Sequence, residues 1–259
     1  MDKIARLALY LLAVLLPLLG GWPAAAQDGD RVDLIVVKGA ITPIVKGYIL
    51  RGLEQAERDG AAAFVIQLYT PGGSVSLTQD ITQRMLAARV PVIVYIAPAG
   101  AHAASAGTFI TLAAHLAAMA PGTSIGAASP VAGGGEELPE TAREKEIAIL
   151  EADIKGLAKR RGEKAVEWAA QAVREAKAAT EDEALGLGVI DLIAANLPEL
   201  LEKADGREVI VAGSPVVLHT AGLPINELPM TTAERFLHTI TDPNIAFILM
   251  TLGLNGLLF

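Results

Sequence analysis

One hydroxyl stands out by its setting. Ser105 lies in Ala103-Ala104-Ser105-Ala106-Gly107, between an apolar strand-like run, Pro91 to Ile96, and an apolar helix-like run, Phe109 to Ala118. A serine at a strand-to-helix turn exposes its hydroxyl above a helix N-terminus, where peptide N–H groups and the helix dipole favour developing negative charge. That is the requirement of acyl transfer, which needs a nucleophile, a base to deprotonate it and N–H donors for the oxyanion. The plainer reading of the same position is a helix N-cap. A second feature is Pro71-Gly72-Gly73, which closes the apolar run Ala62 to Leu68. Glycine there lets the backbone approach closely and take positive φ, so the turn is a candidate for an oxyanion donor. Metal chemistry has little to work with. Cysteine is absent, the four histidines are scattered, and no His-x-x-x-His or Glu-x-x-His pattern occurs, so neither a metal site nor a cofactor is expected.

The elements that must position these residues alternate. Val32 to Val37 reads as a buried strand, and Ile44 to Arg58 has helical spacing and stops at Asp59-Gly60. Ala62 to Leu68 is a second strand, Gln79 to Ala88 a helix and Pro91 to Ile96 a third strand. Strand, helix, strand, helix, strand implies a parallel sheet with right-handed crossovers. Leu116 to Ala120 is a short strand, and the small residues of Ser124 to Pro130 would let another backbone approach. Val131 to Glu140, with Gly133-Gly134-Gly135, is the most loop-like interior stretch. Thr141 to Arg161 is a long charged helix with an apolar face of Ile147, Leu150, Ile154 and Leu157, and Glu163 to Lys177 is another. Thr180 to Glu183 has the spacing of a capping box. Val189 to Ile193 returns to strand, Leu197 to Ala204 is a short helix, and two small strands flank Gly213-Ser214-Pro215.

The chain ends are apolar. With 259 residues, a mean hydropathy of +0.43 and a net charge of −8, the composition argues against electrostatic nucleic-acid binding and for membrane segments. Lys3 and Arg6, the apolar stretch Leu7 to Gly20 and the small residues to Ala26 have the layout of a secretory signal, so residues 1–26 are expected to be removed on export. An uncleaved anchor is the competing reading. Asp242-Pro243 is a good helix start, and no charge follows to Phe259. That run is shorter than the roughly 20 residues a spanning helix needs, so residues 243–259 are expected to begin a transmembrane region that the chain cuts short.

The order of the two glycine- and serine-bearing turns resembles the ClpP-class serine peptidases. The resemblance is closest to the NfeD-family membrane-bound serine proteases. It is carried by Tyr69-Thr-Pro-Gly-Gly-Ser74, Pro98-Ala-Gly-Ala-His-Ala-Ala-Ser-Ala-Gly-Thr108, Met119-Ala-Pro-Gly-Thr-Ser-Ile-Gly-Ala127, Ala184-Leu-Gly-Leu-Gly-Val-Ile-Asp191 and Thr241-Asp-Pro-Asn-Ile-Ala246. It implies an α/β fold, a ClpP/crotonase-like spiral of βαβ units over residues 31–225. It further implies a Ser–Lys dyad, as in signal peptide peptidase A, with Ser105 as nucleophile and Lys155 as general base. Gly73 and Ala106 would form the oxyanion hole. Substrate would lie extended between Gly72-Gly73-Ser74 and Ile125-Gly126, pairing as an added strand.

On these grounds the expected activity is an endopeptidase on the extracytoplasmic side of a membrane. It would cleave apolar stretches of membrane-associated polypeptides, stomatin/prohibitin-like proteins among them, and assemble as a dimer or larger homo-oligomer. A lysine base must be neutral, which burial or nearby positive charge would favour. By periodicity Lys155 flanks the apolar stripe, nearer to it than Lys145 or Lys159, while a solvated face is the plainer reading for any lysine on a charged helix. Two other readings stand beside the peptidase. One is a non-catalytic scaffold or partner-binding domain on the same fold. The other is crotonase-type thioester chemistry, against which the export signal argues.

Overall fold

The computed structural model describes residues 29–130, 139–241, 245, 247, 248 and 250–252. The expected signal segment and the Gly133-Gly134-Gly135 stretch lie outside them. Three apolar runs form the centre of a parallel sheet: β1 (Val32–Lys38), β2 (Ala63–Tyr69) and β3 (Val92–Ile96). Three shorter strands extend it, β5 (Leu116–Met119), β8 (Leu192–Ile193) and β11 (Ile225–Glu227), in the order β11-β1-β2-β3-β5-β8, with every neighbouring pair parallel.

The sheet is covered on both faces, which is why its strands read as continuous apolar runs. Ile35, Val37, Phe64, Ile66, Leu68, Val92, Val94 and Ile96 pack into one core. Val32, Leu34, Ala63, Val65, Ile93 and Tyr95, the alternate positions, pack into the other. Each fully buried aliphatic side chain contributes about 1.5–3 kcal/mol, so neither face could be left uncovered.

The first face is covered by α1 (Pro43–Asp59), α2 (Val75–Leu86), α3 (Ala106–Ala113), α4 (Glu140–Ala158) and α5 (Glu163–Arg174). Thr42 caps α1 by accepting from the Val45 N–H, and Gly60 ends it in the left-handed conformation. The second face is covered by α7 (Leu197–Ala204) and the antiparallel hairpin of β9 (Glu208–Val211) and β10 (Ser214–Val217). The expected capping box is present at α6 (Glu181–Gly186), where Thr180 and Glu183 satisfy each other's backbone N–H groups.

Some expectations are corrected. The apolar run after Ser105 does not continue as helix to Ala118. It breaks after Ala113, and Leu116 onward joins the sheet beside β3. A small second sheet of β4 (His102–Ala104), β6 (Ser124–Gly126) and β7 (Ala178–Thr180) is not foreshadowed by the residue pattern, and β11 and α8 (Thr232–Ile240) are elements beyond those expected. No helix among the described residues is long and apolar enough to cross a membrane.

Candidate active site

The site is built where the small sheet meets the end of the large one. The chain leaves β2 through Thr70, whose N–H donates to His102 O and whose carbonyl accepts from Ala104 N–H, at 2.8 and 3.0 Å. Thr70 Oγ1 also accepts from Gly72 N–H at 3.0 Å, so one threonine ties the Pro71-Gly72-Gly73 turn to the strand that leads into Ser105. Gly72 has φ +123°, and a Cβ there would stand 2.7 Å from Ser105 Cβ. A Cβ on Gly73 would lie 2.4 Å from Ile41 O. The two glycines are required by close packing, one against the serine and one against the backbone of the preceding strand-to-helix connection.

Ser105 sits between β4 and α3 with φ 50° and ψ −112°, a conformation that L-residues rarely adopt. It is held by the surrounding backbone. Its N–H donates to Gly126 O at 3.1 Å, and Thr108 Oγ1 donates to both Gly126 O and Ala103 O. Strain kept in place by such supports is a mark of functional positions. Ser105 occupies the N-cap position of α3, yet its side chain makes no capping hydrogen bond. The cap reading therefore lacks its defining contact, and Oγ is left to the cleft.

That cleft has a volume of about 330 Å³, and Gly73, Ser105 and Ala106 share its wall. No hydrogen bond engages the N–H of Gly73 or Ala106 among the described residues, so both donors are available beside Ser105. The remaining wall comes from Val75, Thr78, Gln79, Thr82, Gln83 and Leu86 on one side, and from Phe109, Ala128, Pro130, Glu146, Leu150, Asp153 and Leu157 on the other. Gln79 Nε2 donates to Asp153 at 2.9 Å, linking α2 to α4 across it.

The structure brings Gly72, Gly73, Ser105 and Ala106 together. It does not bring Lys155 to them. Glu146, Leu150, Asp153 and Leu157 face the cleft, and at about 100° per residue Lys155 falls on the opposite side of α4. Its side chain is 47% exposed, with Nζ 3.4 Å from Glu151 Oε1. His102 is no substitute base, since its ring packs edge-on against Tyr69 with centroids 4.8 Å apart and does not line the cleft. Ser74 is exposed at the start of α2, with its hydroxyl 3.0 Å from that of Ser76.

Ile125 and Gly126 are not a free edge for substrate. β6 is the middle strand of its sheet, paired with β4 on one side and β7 on the other. A Cβ on Gly126 would stand 2.3 Å from Lys177 O. Another backbone does approach these small residues, but it is β7 of the same chain. Gly126 O holds the Ser105 turn by accepting from Ser105 N–H and Thr108 Oγ1.

At the far end of α3, whose eight residues are all buried, the carbonyls find cations. Arg160 Nη2 donates to Leu112 O and Ala114 O, and Arg161 Nη2 donates to Ala114 O. Positive charge at the C-terminus complements the dipole whose other end lies at Ser105. Arg161 also donates to Asp191 Oδ2, which accepts from the Ala117 N–H as well. Beside them His115 Nδ1 accepts from Val92 N–H at 2.9 Å. Burial, then Arg160 and Arg161, push the His115 imidazole down to about 4. An imidazole whose pKa is lowered on folding stays neutral in the native state at pH values where the unfolded chain, titrating near the ordinary value of about 6.5, takes up its proton. Stability should therefore fall as pH drops from about 6.5 to about 4, by roughly 2–3 kcal/mol. Urea denaturation across that range should show the slope. His115→Asn, which keeps an acceptor for Val92 without a titrating ring, should flatten it.

A parallel α/β domain in which a strained, uncapped serine shares a cleft wall with the unengaged N–H groups of Gly73 and Ala106 defines the class: an α/β domain with a serine-centred site. The sequence agrees. Residues 31–206 match the family model for the NfeD1b N-terminal domain, and the chain belongs to that family. It is 38% identical over 229 residues to Membrane-bound protease PH1510 of Pyrococcus horikoshii, and 30% identical over 149 residues to Membrane protein NfeD1b of Bacillus subtilis. The matches take in 86% and 58% of this chain but only 51% and 32% of those relatives, so the chain spans about half the length of the first and a third of the second. Among solved structures it is similar to the 1510-N membrane-bound stomatin-specific protease. A lysine-to-alanine mutant of that protein in complex with a substrate peptide superposes with a TM-score of 0.76 at 36% identity, covering 83% of this chain and 99% of that one. A serine-to-alanine mutant gives 0.72 at 36% identity, covering 78% and 99%.

Proposed function

We propose that this domain is a serine endopeptidase of membrane-associated polypeptides, with Ser105 as nucleophile and an α4 lysine as general base. The observation that carries the reading is the geometry at Ser105: a backbone conformation held against its preference, a hydroxyl without a capping partner, and free N–H groups of Gly73 and Ala106 beside it. Ser105 Oγ attacks the scissile carbonyl, and the carbonyl oxygen gains charge where those two N–H groups can donate to it. The base takes the hydroxyl proton and returns it to the leaving amine, and water then releases the acyl group from Ser105 by the same route.

For the base, the relative offers a spacing. The serine and lysine replaced in its two mutants are about 40 residues apart. Counted from Ser105, their spacing of 41 ends at Glu146, one residue past Lys145 and nine short of Lys155, so Lys145 is the nearer lysine. Lys145 adjoins Glu146, which lines the cleft, early in α4; its own side chain is exposed and lies off the cleft wall, so acting as base requires it to swing in when substrate binds. Support for a membrane-associated polypeptide substrate comes from the apolar side chains of the cleft, Val75, Leu86, Phe109, Leu150 and Leu157, and from the stomatin specificity of the relative. The extracytoplasmic location rests on the export-type N-terminus. Homo-oligomeric assembly belongs to the same proposal.

The test is digestion of an apolar peptide drawn from a stomatin-like protein, with mass spectrometry of the fragments. Defined internal cleavage is expected. An intact peptide after prolonged incubation, with the peptide shown to bind, would instead favour the scaffold reading, for which the outward placement of Lys155 is the supporting observation.

A further inference from the structure

Among the described residues, α8 does not bury its apolar side. In α8, Ala233, Phe236, Leu237 and Ile240 fall at the i, i+3, i+4, i+7 spacing of an apolar stripe, and such a stripe normally packs into a core. None of the nine residues of α8 is buried. Phe236 is 64% exposed and Leu237 45%. The side turned toward the protein is polar instead. Glu234 accepts from Arg51 Nε and Nη2 at 2.9 and 2.7 Å, and it closes a capping box with Thr231. His238, one turn on, approaches Gly39, where an added Cβ would stand 3.9 Å from its Cε1. The helix is thus fixed to α1 by an ion pair while its hydrophobic stripe looks outward.

The residues after α8 indicate the occupant of that stripe. Phe247, Ile248, Met250 and Leu252 are likewise more than half exposed, and no charged residue occurs from Pro243 to Phe259. The only carboxylate of α8 is neutralised by Arg51, so its exposed charge is Arg235. An exposed apolar stripe, no unpaired negative charge and continuity with an uncharged apolar run are the features of a helix lying in the plane of a bilayer interface.

We propose that α8 lies on the lipid surface through Ala233, Phe236, Leu237 and Ile240, and that this sets the orientation of the domain. The consequence reaches the site. Gly39, which His238 approaches, donates its N–H to Tyr69 O, and Ile41, two residues on, donates to Gly72 O and bridges to Gly73. The bilayer would therefore lie beside the Gly73 side of the cleft, so that a chain emerging from the membrane meets it directly. Lipid contact does not depend on the peptidase reading.

Because the chain has no cysteine, a single introduced one can be labelled uniquely. In the full chain, Phe236→Cys would carry an environment-sensitive fluorophore, and Glu202→Cys on α7 would serve as the comparison. Both are added to phosphatidylcholine–phosphatidylglycerol vesicles containing headgroup- or acyl-nitroxide lipids. The expected result is a blue shift and several-fold stronger quenching at position 236 than at 202, unchanged when Ser105→Ala is added. Equal quenching at the two positions in vesicle-bound protein would overturn the proposal. So would loss of a dimer in Phe236→Glu with no lipid quenching at 236, which would make a second copy the occupant.

Discussion

Replacing Ser105 with glycine should abolish peptide cleavage and at the same time raise the melting temperature. The two effects come from the same dihedral angles. With φ 50° and ψ −112°, Ser105 holds a conformation costing about 1–3 kcal/mol for a residue with a Cβ. Glycine adopts it without that cost, although the added freedom of the unfolded chain returns about 0.5–1 kcal/mol. A net gain of about 1 kcal/mol corresponds to a rise of roughly 2–4 °C in a domain of this size. Ser105→Ala keeps the Cβ and the strain, so its melting temperature should match that of the parent chain. Both variants lack the nucleophile, and kcat/KM should fall by about 10⁴-fold or more. Calorimetry and turnover on one set of preparations decide the matter. Retained cleavage by Ser105→Ala would remove the serine from the mechanism. A lowered melting temperature for Ser105→Gly would show that the turn is not strained.

The parts of the site legible in the sequence are those in which a residue type is forced by backbone geometry. Pro71-Gly72-Gly73 could be read because a side chain on either glycine would strike Ser105 or Ile41, and that requirement leaves its mark as glycine. β1, β2 and β3 could be read because both faces are covered, which makes every position apolar. Three-residue strands offer no such signal. β4 and β6 are shorter than the periodicity needed to recognise them, so the support they give Ser105 emerged only from the pairing.

The register of α4 was obscured for a different reason. The helix is used on two sides at once: Leu150, Ile154 and Ala158 are buried, while Glu146, Leu150, Asp153 and Leu157 face the cleft. The wide, mixed stripe that results does not point to one direction. Lys155 follows the buried Ile154 yet turns outward, toward Glu151. α8 differs again. A clear stripe exists there, but the usual inference from stripe to burial does not hold.

The helix register can be decided by chemistry. Lys145→Ala is expected to remove cleavage nearly as completely as Ser105→Ala, because without a base Oγ remains a protonated and weak nucleophile. Lys155→Ala should leave turnover within about twofold of the parent and cost only the value of an exposed i,i+4 pair with Glu151, about 0.3–0.5 kcal/mol. Lys145→Arg adds a sharper distinction. Arginine preserves the positive charge but does not give up its proton, so it should be as inactive as alanine if the amine is a base and active if only charge is needed. Turnover by the parent chain should climb with pH as the amine deprotonates, since the neutral form is the competent one. Activity lost in Lys155→Ala and kept in Lys145→Ala would reverse the assignment and require α4 to rotate by about half a turn on binding substrate. Activity kept in both would mean that neither lysine is the base and that Ser105 is activated by another group in the cleft.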